Sequence, residues 1–253
     1  MKSLKKAFSL LELAIVVAII GLLVSGVTIG SNLIENAKKN KILSDIATIK
    51  TAIDSFYLIY KQLPGDYDNA AAKWGSYNSV SLPDGTLDGN GDKIIEWNSE
   101  GLRVFHHLQL ANIITGIYNS SNNGNNAMSI DSENSNVKKA PYQNSAYAFY
   151  NEEINSDLNN YIVVGRIIEH LGLKTNKDAI INSVDAYSLD QKIDDGIPSK
   201  GNLRASYAVN VTNNLSPGGT NCINGKNDQT ELEYLDDSDL SLSCILYFKI
   251  NVN

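Results

Sequence analysis

The chain has 253 residues, of which 43% are hydrophobic and 19% are charged, and its formal net charge is −7. This composition excludes a wholly disordered or collagen-like chain, and the negative balance argues against broad affinity for nucleic acid. Two cysteines are too few for a disulfide scaffold or a four-thiolate zinc site, and three histidines argue against a histidine-rich metal centre.

The N-terminal region is far more apolar than the average. Residues 1–7, MKSLKKA, form a lysine-rich leader, and Glu12 is the only charged residue between Phe8 and Ile34. The 22 uncharged residues from Leu13 onward would form a helix about 33 Å long, enough to cross a hydrocarbon core of about 30 Å. The alternative is a secretory signal peptide, whose apolar core is usually about 7–15 residues long. The sequence favours a retained transmembrane helix over residues 8–34.

Helical periodicity continues beyond the apolar segment. Apolar side chains recur every three or four residues, at Ile42, Ile46, Ile49, Ile53, Phe56 and Tyr60. This spacing places them on one face of a helix, and Pro64 ends the pattern. We therefore predict one helix from Phe8 to about Lys61. Its amphipathic half, residues 35–63, would pack on a globular domain of residues 64–253.

The residues around Glu12 resemble a known N-terminal signature. A basic leader, a small residue, Phe, a short apolar step, Glu and a long apolar helix are all present, with residues 7–13 reading AFSLLEL. This pattern is similar to the prepilin N-terminus of type IV pilins and of the pseudopilins of type II secretion. The resemblance implies that a prepilin peptidase cuts between Ala7 and Phe8 and that the new amino group of Phe8 is N-methylated. The commonest form of the motif has Gly where this chain has Ala7.

The same resemblance implies a role for Glu12 in assembly, as the partner of the N-terminal amine of a neighbouring subunit. A carboxylate within a membrane helix costs on the order of 2–3 kcal/mol and usually has a partner. Cleavage after Ala7 would place an amine one turn from Glu12, and side-by-side packing of helices would then pair the two charges. The alternative is that Glu12 lies near the membrane interface and is solvated.

The resemblance also implies a fold and a function. The expected fold is α+β and pilin-like, with the long helix packed on a small, mostly antiparallel sheet. The expected function is that of a structural subunit, a pilin or pseudopilin, of a type IV pilus-like or type II secretion filament. Two alternatives are a minor DNA-uptake or adhesive pilin that acts as a binding module, and a membrane-anchored periplasmic enzyme. We find no G-x-S-x-G, P-loop or Rossmann glycine pattern that would support an enzyme.

The implied partners and location follow from that function. The partners would be a prepilin peptidase, other pilin or pseudopilin subunits, an inner-membrane assembly platform and membrane lipid, and no nucleic acid is expected. The chain would cross the bacterial inner membrane once, with its C-terminal domain in the periplasm, or outside the cell if it is assembled into a pilus.

The two cysteines, Cys222 and Cys244, either pair or remain free thiols. A disulfide would close a 23-residue loop and stabilise the fold by about 3 kcal/mol in the loop-entropy treatment. It would also require an oxidising compartment. Many type IV pilins close a C-terminal disulfide loop, and this resemblance favours the pair.

Residues 84–92, DGTLDGNGD, suggest a calcium loop, the one possible cofactor site. The oxygen-bearing side chains at the 1, 3 and 5 positions of such a loop are Asp88, Asn90 and Asp92. However, Lys93 stands where an EF-hand has Gly, and Ser99 stands at the twelfth position, where Glu96 or Glu100 would have to substitute. The alternative is a solvated Asp/Gly turn.

The remaining elements of the domain are less sharply defined. Residues 98–114 suggest a short helix on which His106 and His107 would be at the surface or half-buried, and residues 119–136 a polar loop. Residues 161–173 fit either a strand or a helix. Strands are predicted over residues 204–211 and 244–252.

A further helix is predicted over residues 178–195, ended by Gly196 and Pro198. Its inward side chains would be Ile180, Ile181, Val184, Tyr187 and Ile193. Its end carries an acidic group of three, Asp190, Asp194 and Asp195, which we attribute to capping and solvation.

Overall fold

The structure is a computed structural model. It describes residues 9–75, 87–119, 128–130, 135–154, 157–170, 173–209, 217–218, 222–223, 233–235 and 242–251. The chain divides into two compact units, Met1–Leu43 and Ser44–Asn253.

Helix α1 spans Leu10–Tyr60, which confirms the predicted long helix. It contains no proline, and Lys61 ends it in the left-handed region with φ of 60°. Within the second unit the predicted stripe is confirmed, because the side chains of Ile46, Ile49, Ile53 and Phe56 are all buried.

The strands form a seven-stranded sheet in the order β1-β2-β3-β7-β5-β6, with β4 paired to β3. Their bounds are Lys138–Lys139 for β1, Ser145–Ile154 for β2, Asp157–His170 for β3, Leu173–Asp178 for β4, Leu203–Val209 for β5, Pro217–Gly218 for β6 and Cys244–Lys249 for β7. Every pairing among these strands is antiparallel. The α+β fold with a mostly antiparallel sheet is therefore confirmed, and the ambiguous residues 161–173 belong mainly to a strand.

Strand β3 organises the sheet because one of its edges serves two partners. Tyr161–Val164 pair with β7, whereas residues from Arg166 onward pair with β4. Gly165 lies at this change of partner, where a Cβ atom would overlap the backbone of Asn176. The buried side-chain amide of Asn176 donates to the carbonyls of Ala146 and Val163, at 3.1 and 2.8 Å. A glycine and a buried amide thus let three strands meet at one point.

The amphipathic part of α1 is joined to the sheet by a buried polar contact as well as by its apolar stripe. The Tyr147 hydroxyl on β2 donates to Asp45 Oδ2 at 3.0 Å, and Lys138 on β1 lies 3.7 Å from Asp45 Oδ1. A buried carboxylate needs such partners, so Asp45 specifies which face of the sheet the helix meets.

The helix predicted over residues 98–114 is shorter than expected. A 3₁₀ turn covers Glu100–Leu102 and α3 covers Val104–Leu110. The short α2, Ala70–Trp74, precedes them. The predicted exposure of the two histidines was wrong, because His106 and His107 are 3% and 0% exposed.

The helix predicted over residues 178–195 begins later, and α4 spans Ser183–Ile193. Asn182 caps it, since its side-chain oxygen accepts from the Asp185 amide at 2.7 Å, so the residues before it are free to pair with strands. Ile181 forms a bridge with Cys244. The prediction that Val184 and Tyr187 point inward was wrong, because they are 45% and 42% exposed. The face of α4 that meets the core instead carries Ser183, Ala186, Leu189 and Asp190.

Candidate functional site

Among the residues that the structure describes, the apolar half of α1 is largely exposed. Its large side chains have exposed fractions from 51% at Val16 to 88% at Leu10. Among the described residues, α1 is the one helix long and apolar enough to cross a bilayer, and its most apolar stretch is wholly unburied. A core helix of a soluble protein would be mostly buried, so this exposure fits a membrane anchor.

Glu12 takes part in a reciprocal hydrogen-bond pair at the start of α1. The Ser9 amide donates to Glu12 Oε2 at 2.9 Å, and the Glu12 amide donates to Ser9 Oγ at 3.2 Å. This is a capping box, which satisfies two amides that have no helical partner. The sequence pattern Ser-x-x-Glu before an apolar run could have predicted it. Ala7 and Phe8, the predicted cleavage and methylation residues, lie outside the described residues.

Three carboxyl groups converge beside the predicted calcium loop. Asp66, Asp92 and Glu100 have oxygens within 4.8 Å of one another. Asp66 follows α1, Asp92 lies in the loop, and Glu100 begins the 3₁₀ turn. Two of the three, Asp66 and Glu100, are almost fully buried, with exposed fractions of 1% and 3%. Sequence spacing could not reveal Asp66, because it lies 18 residues before the start of the loop.

Backbone amides hold the two buried carboxyl groups. Asp66 accepts from the amides of Gly91, Asp92 and Lys93 at 2.7, 3.1 and 2.8 Å. Glu100 accepts from the Asn90 amide at 2.9 Å and from the Glu96 amide at 3.2 Å. The pKa of Glu100 is raised to about 7, chiefly by burial; the two amide hydrogen bonds oppose this rise, and the neighbouring acids Asp66 and Asp92 add to it. Burial also raises the pKa of Asp66.

The predicted calcium residues do not all face this group. Asp92 belongs to the group and Asn90 contacts it, since Asn90 Nδ2 donates to Asp92 at 3.0 Å. The Asp88 carboxylate instead accepts from the Ala71 amide at 2.7 Å. Lys93, which replaces the EF-hand glycine, adopts φ of 71°, the left-handed conformation that this position favours. Calcium binding stays a prediction.

The buried histidine His107 has a structural role. Its Nδ1 accepts from the Gly65 amide at 2.9 Å, so its Nε2 carries the proton and donates to the Leu87 carbonyl, also at 2.9 Å. Burial lowers the pKa of His107 to about 3 and that of His106 to about 4. The neutral ring of His107 therefore forms hydrogen bonds both with Leu87, in the loop before α3, and with Gly65, just after the end of α1.

Cys222 and Cys244 form a disulfide, with their Cα atoms 5.0 Å apart. Both cysteines are buried, and Cys244 begins β7. The Leu235 amide donates to the Cys222 carbonyl at 3.1 Å. The disulfide therefore joins Cys222 to the first residue of β7, and the hydrogen bond from Leu235 holds the segment that contains Tyr234 beside Cys222.

The second acidic group lies at the end of α4. Oxygens of Asp190, Asp194 and Asp195 are within 4.8 Å of one another. Asp190 is fully buried, and its Oδ2 accepts from the Tyr234 hydroxyl at 2.8 Å. Burial and a hydrogen bond to Asp194 raise the pKa of Asp190 to about 8.

Backbone amides keep Asp194 ionised. It accepts from the amides of Asn202, Leu203 and Asp195. Burial raises the pKa of Asp194, but the hydrogen bond with Asp190 and, to a smaller extent, these amide hydrogen bonds lower it, and the net shift is downward. The two acids therefore share one proton at neutral pH, carried by Asp190. The expectation of simple capping and solvation missed the burial of Asp190.

Comparison with known proteins identifies the N-terminal segment. A family model of the prokaryotic N-terminal methylation motif matches residues 2–28, and this is the prepilin-type motif of type IV pilins and pseudopilins. The resemblance inferred from residues 7–13 is confirmed. No curated protein matches the chain, and no solved structure matches it.

Proposed function

We propose that this chain, which carries the prepilin-type N-terminal motif, is a structural subunit of a type IV pilus-like or type II secretion filament. The observation that carries the proposal is the motif at the head of a helix whose apolar half is uncovered. The motif implies processing by a prepilin peptidase and assembly with other pilin subunits. The mature subunit would be stored in the inner membrane and drawn into the filament by an assembly platform.

The proposed processing leaves the anchor attached to the domain. Cleavage between Ala7 and Phe8 removes only the leader, and α1 continues without a break to Tyr60. A signal peptidase would instead cut this helix away. The proposed topology is a single span, with the disulfide-bonded domain in the oxidising periplasm.

Mass spectrometry of the mature protein tests this processing. We expect a first residue of N-methylated Phe8 in protein purified from the membranes of a bacterium that has a prepilin peptidase. The same chain from a strain without the peptidase is the control and should keep Met1 and the leader. An N-terminus at a position after Ser25 or Gly26 would contradict the proposal.

A pair of variants tests the proposed role of Glu12. Glu12→Val should leave the protein in the membrane but reduce its incorporation into filaments, because the neighbour's amine would lose its partner. Glu35→Gln is the matched control, since it removes the same charge from a partly buried position on the same helix, where Glu35 pairs with Lys38 at 2.7 Å. Equal incorporation of the two variants would remove Glu12 from the assembly mechanism.

A further inference from the structure

A pocket lies beside the exposed face of α4, next to the acidic group at the end of that helix. Its volume is 590 Å³, within the range of about 300–1,000 Å³ that is typical of sites for small ligands. One wall comes from α4, one from the turn after it, and one from the segment Glu233–Leu235 inside the disulfide loop. The apolar part of its lining consists of Val184, Ile197 and Leu235.

Two tyrosines provide aromatic faces to this pocket. The ring centroids of Tyr187 and Tyr234 are 5.8 Å apart, with the rings tilted by 57°. Both rings are held by their hydroxyl groups, since Tyr234 donates to Asp190 and Tyr187 accepts from Gln191 Nε2. Tyr187 is nevertheless 42% exposed, so part of its surface is open to a ligand.

The charges around the pocket are negative. Asp195 and Glu233 line it, and no described lining residue is cationic. Burial raises the pKa of Tyr234, and Asp190, Asp194 and Asp195 raise it further, which shows that an anion is disfavoured there. Among the described residues, Lys50 interacts electrostatically with Asp194 of this cluster. A negative field over aromatic faces favours a cation, because the face of an aromatic ring is itself electron-rich.

We propose that this pocket binds an organic cation on an apolar stem, in the form of an arginine side chain presented by a partner protein. The stem would contact the apolar lining, the planar guanidinium would stack on the Tyr187 ring, and Asp195 would pair with its charge. Asp195 is anchored for this role, since its Oδ1 accepts from the Ile197 amide at 2.9 Å. The site would give the subunit a binding function that does not depend on its ability to polymerise.

Titration of the full-length protein in detergent micelles tests the proposal, with binding followed by calorimetry or by NMR of the probe. The probes are n-butylguanidinium, the neutral n-butanol, and the tripeptide acetyl-Gly-Arg-Gly-amide beside its citrulline analogue. We expect the arginine peptide to bind at least tenfold more tightly than the citrulline peptide, which has the same shape without the charge. Equal binding of the two peptides, or none by either, would overturn the proposal.

Variants test whether the peptide binds in this pocket, and they separate the contribution of the Tyr187 ring from that of the Asp195 charge. Tyr187→Phe should bind as the wild type does, whereas Tyr187→Leu should bind several-fold more weakly, because the ring face rather than the hydroxyl makes the contact. Asp195→Asn should weaken binding about tenfold while keeping the acceptor for Ile197. Glu153→Gln, at an exposed position of β2, is the charge control and should have no effect. Unchanged binding by Tyr187→Leu and Asp195→Asn would refute this location.

The same titration distinguishes the source of the cation. Binding of the arginine peptide at least as tight as that of n-butylguanidinium would support a protein partner. Binding of n-butylguanidinium alone would overturn the assignment to a partner protein, because it would show that the pocket admits only small free cations.

Discussion

The shared proton of Asp190 and Asp194 should make the stability of the folded domain depend on pH. Asp190 has a pKa of about 8 in the folded protein against an ordinary value of 3.8. Between these values the unfolded chain has lost the proton that the folded chain keeps, so the free energy of unfolding falls as pH rises. The slope is up to about 1.4 kcal/mol per pH unit, so Asp190 alone removes up to about 3 kcal/mol between pH 5 and pH 7.

The variant Asp190→Asn tests this contribution. An asparagine reproduces the protonated acid, because its amide donates to Asp194 and its oxygen accepts from the Tyr234 hydroxyl. We therefore expect the variant to be more stable than the wild type already at pH 5, and by a larger margin at pH 7 and pH 8. Below about pH 3.8 the advantage should vanish, because both states of the wild type then carry the proton.

Urea denaturation of the full-length protein in detergent at pH 5, 6, 7 and 8 measures the effect. Fluorescence can follow it, since Trp97 stacks on Tyr150 in the folded domain, with ring centroids 5.9 Å apart. Glu100 also has a raised pKa and titrates in the same range, so the difference between variant and wild type is the quantity to compare. Glu153→Gln is the control. A variant curve parallel to that of the wild type from pH 5 to pH 7 would refute the shared proton.

Three further predictions concern the disulfide, the buried histidine and the acidic loop. The double variant Cys222→Ser, Cys244→Ser should unfold at lower urea concentration, with a loss of about 3 kcal/mol, and an unchanged midpoint would contradict this. His107→Leu leaves the Gly65 amide and the Leu87 carbonyl buried without their partner, and should cost about 2–3 kcal/mol or more in the same assay; a cost below about 1 kcal/mol would contradict the bridging role. If the loop binds calcium, millimolar calcium should raise the melting temperature of the wild type, Glu100→Gln should abolish the rise and Asp88→Asn should keep it; no rise in the wild type would disprove the site.

The long helix was predictable because its pattern is long and uninterrupted. The apolar run and the stripe from Ile46 to Phe56 both repeat at helical spacing, and Pro64 marks where they end. The N-terminal motif was predictable for a different reason, since all its parts are adjacent in sequence. Neither inference required knowledge of which distant residues meet.

Strand β2 shows what the sequence did not reveal. Residues 145–150 are all buried, so they lack the alternation that marks a strand with one solvated face. Their burial arises from helices, loops and neighbouring strands that only the folded chain brings together. The start of α4 was missed for a local reason, because Asn182 and Asp185 form a capping pair that the apolar spacing of Ile180 and Ile181 obscured.

The acidic groups illustrate the same limit. Spacing along the chain singled out Asp88, Asn90 and Asp92, yet Asp66 joins Asp92 and Glu100 because the end of α1 returns beside the loop. Glycine makes this approach possible, since a Cβ atom on Gly89 would overlap the backbone of Asp66. A cluster made by chain segments that meet only after folding leaves no spacing pattern to find.

The capping box gives Glu12 a partner before any neighbouring subunit is present. Its carboxylate lies at the positive end of the α1 dipole and accepts from the Ser9 amide, which offsets part of the cost of an acid in the bilayer. A cap of this kind contributes about 1 kcal/mol, whereas a charge pair with an amine in a medium of low dielectric is stronger. The amine of the proposed neighbour would therefore meet a Glu12 carboxylate that is already oriented by the helix to which Glu12 belongs. Ser9 would contribute to assembly by holding that carboxylate in place.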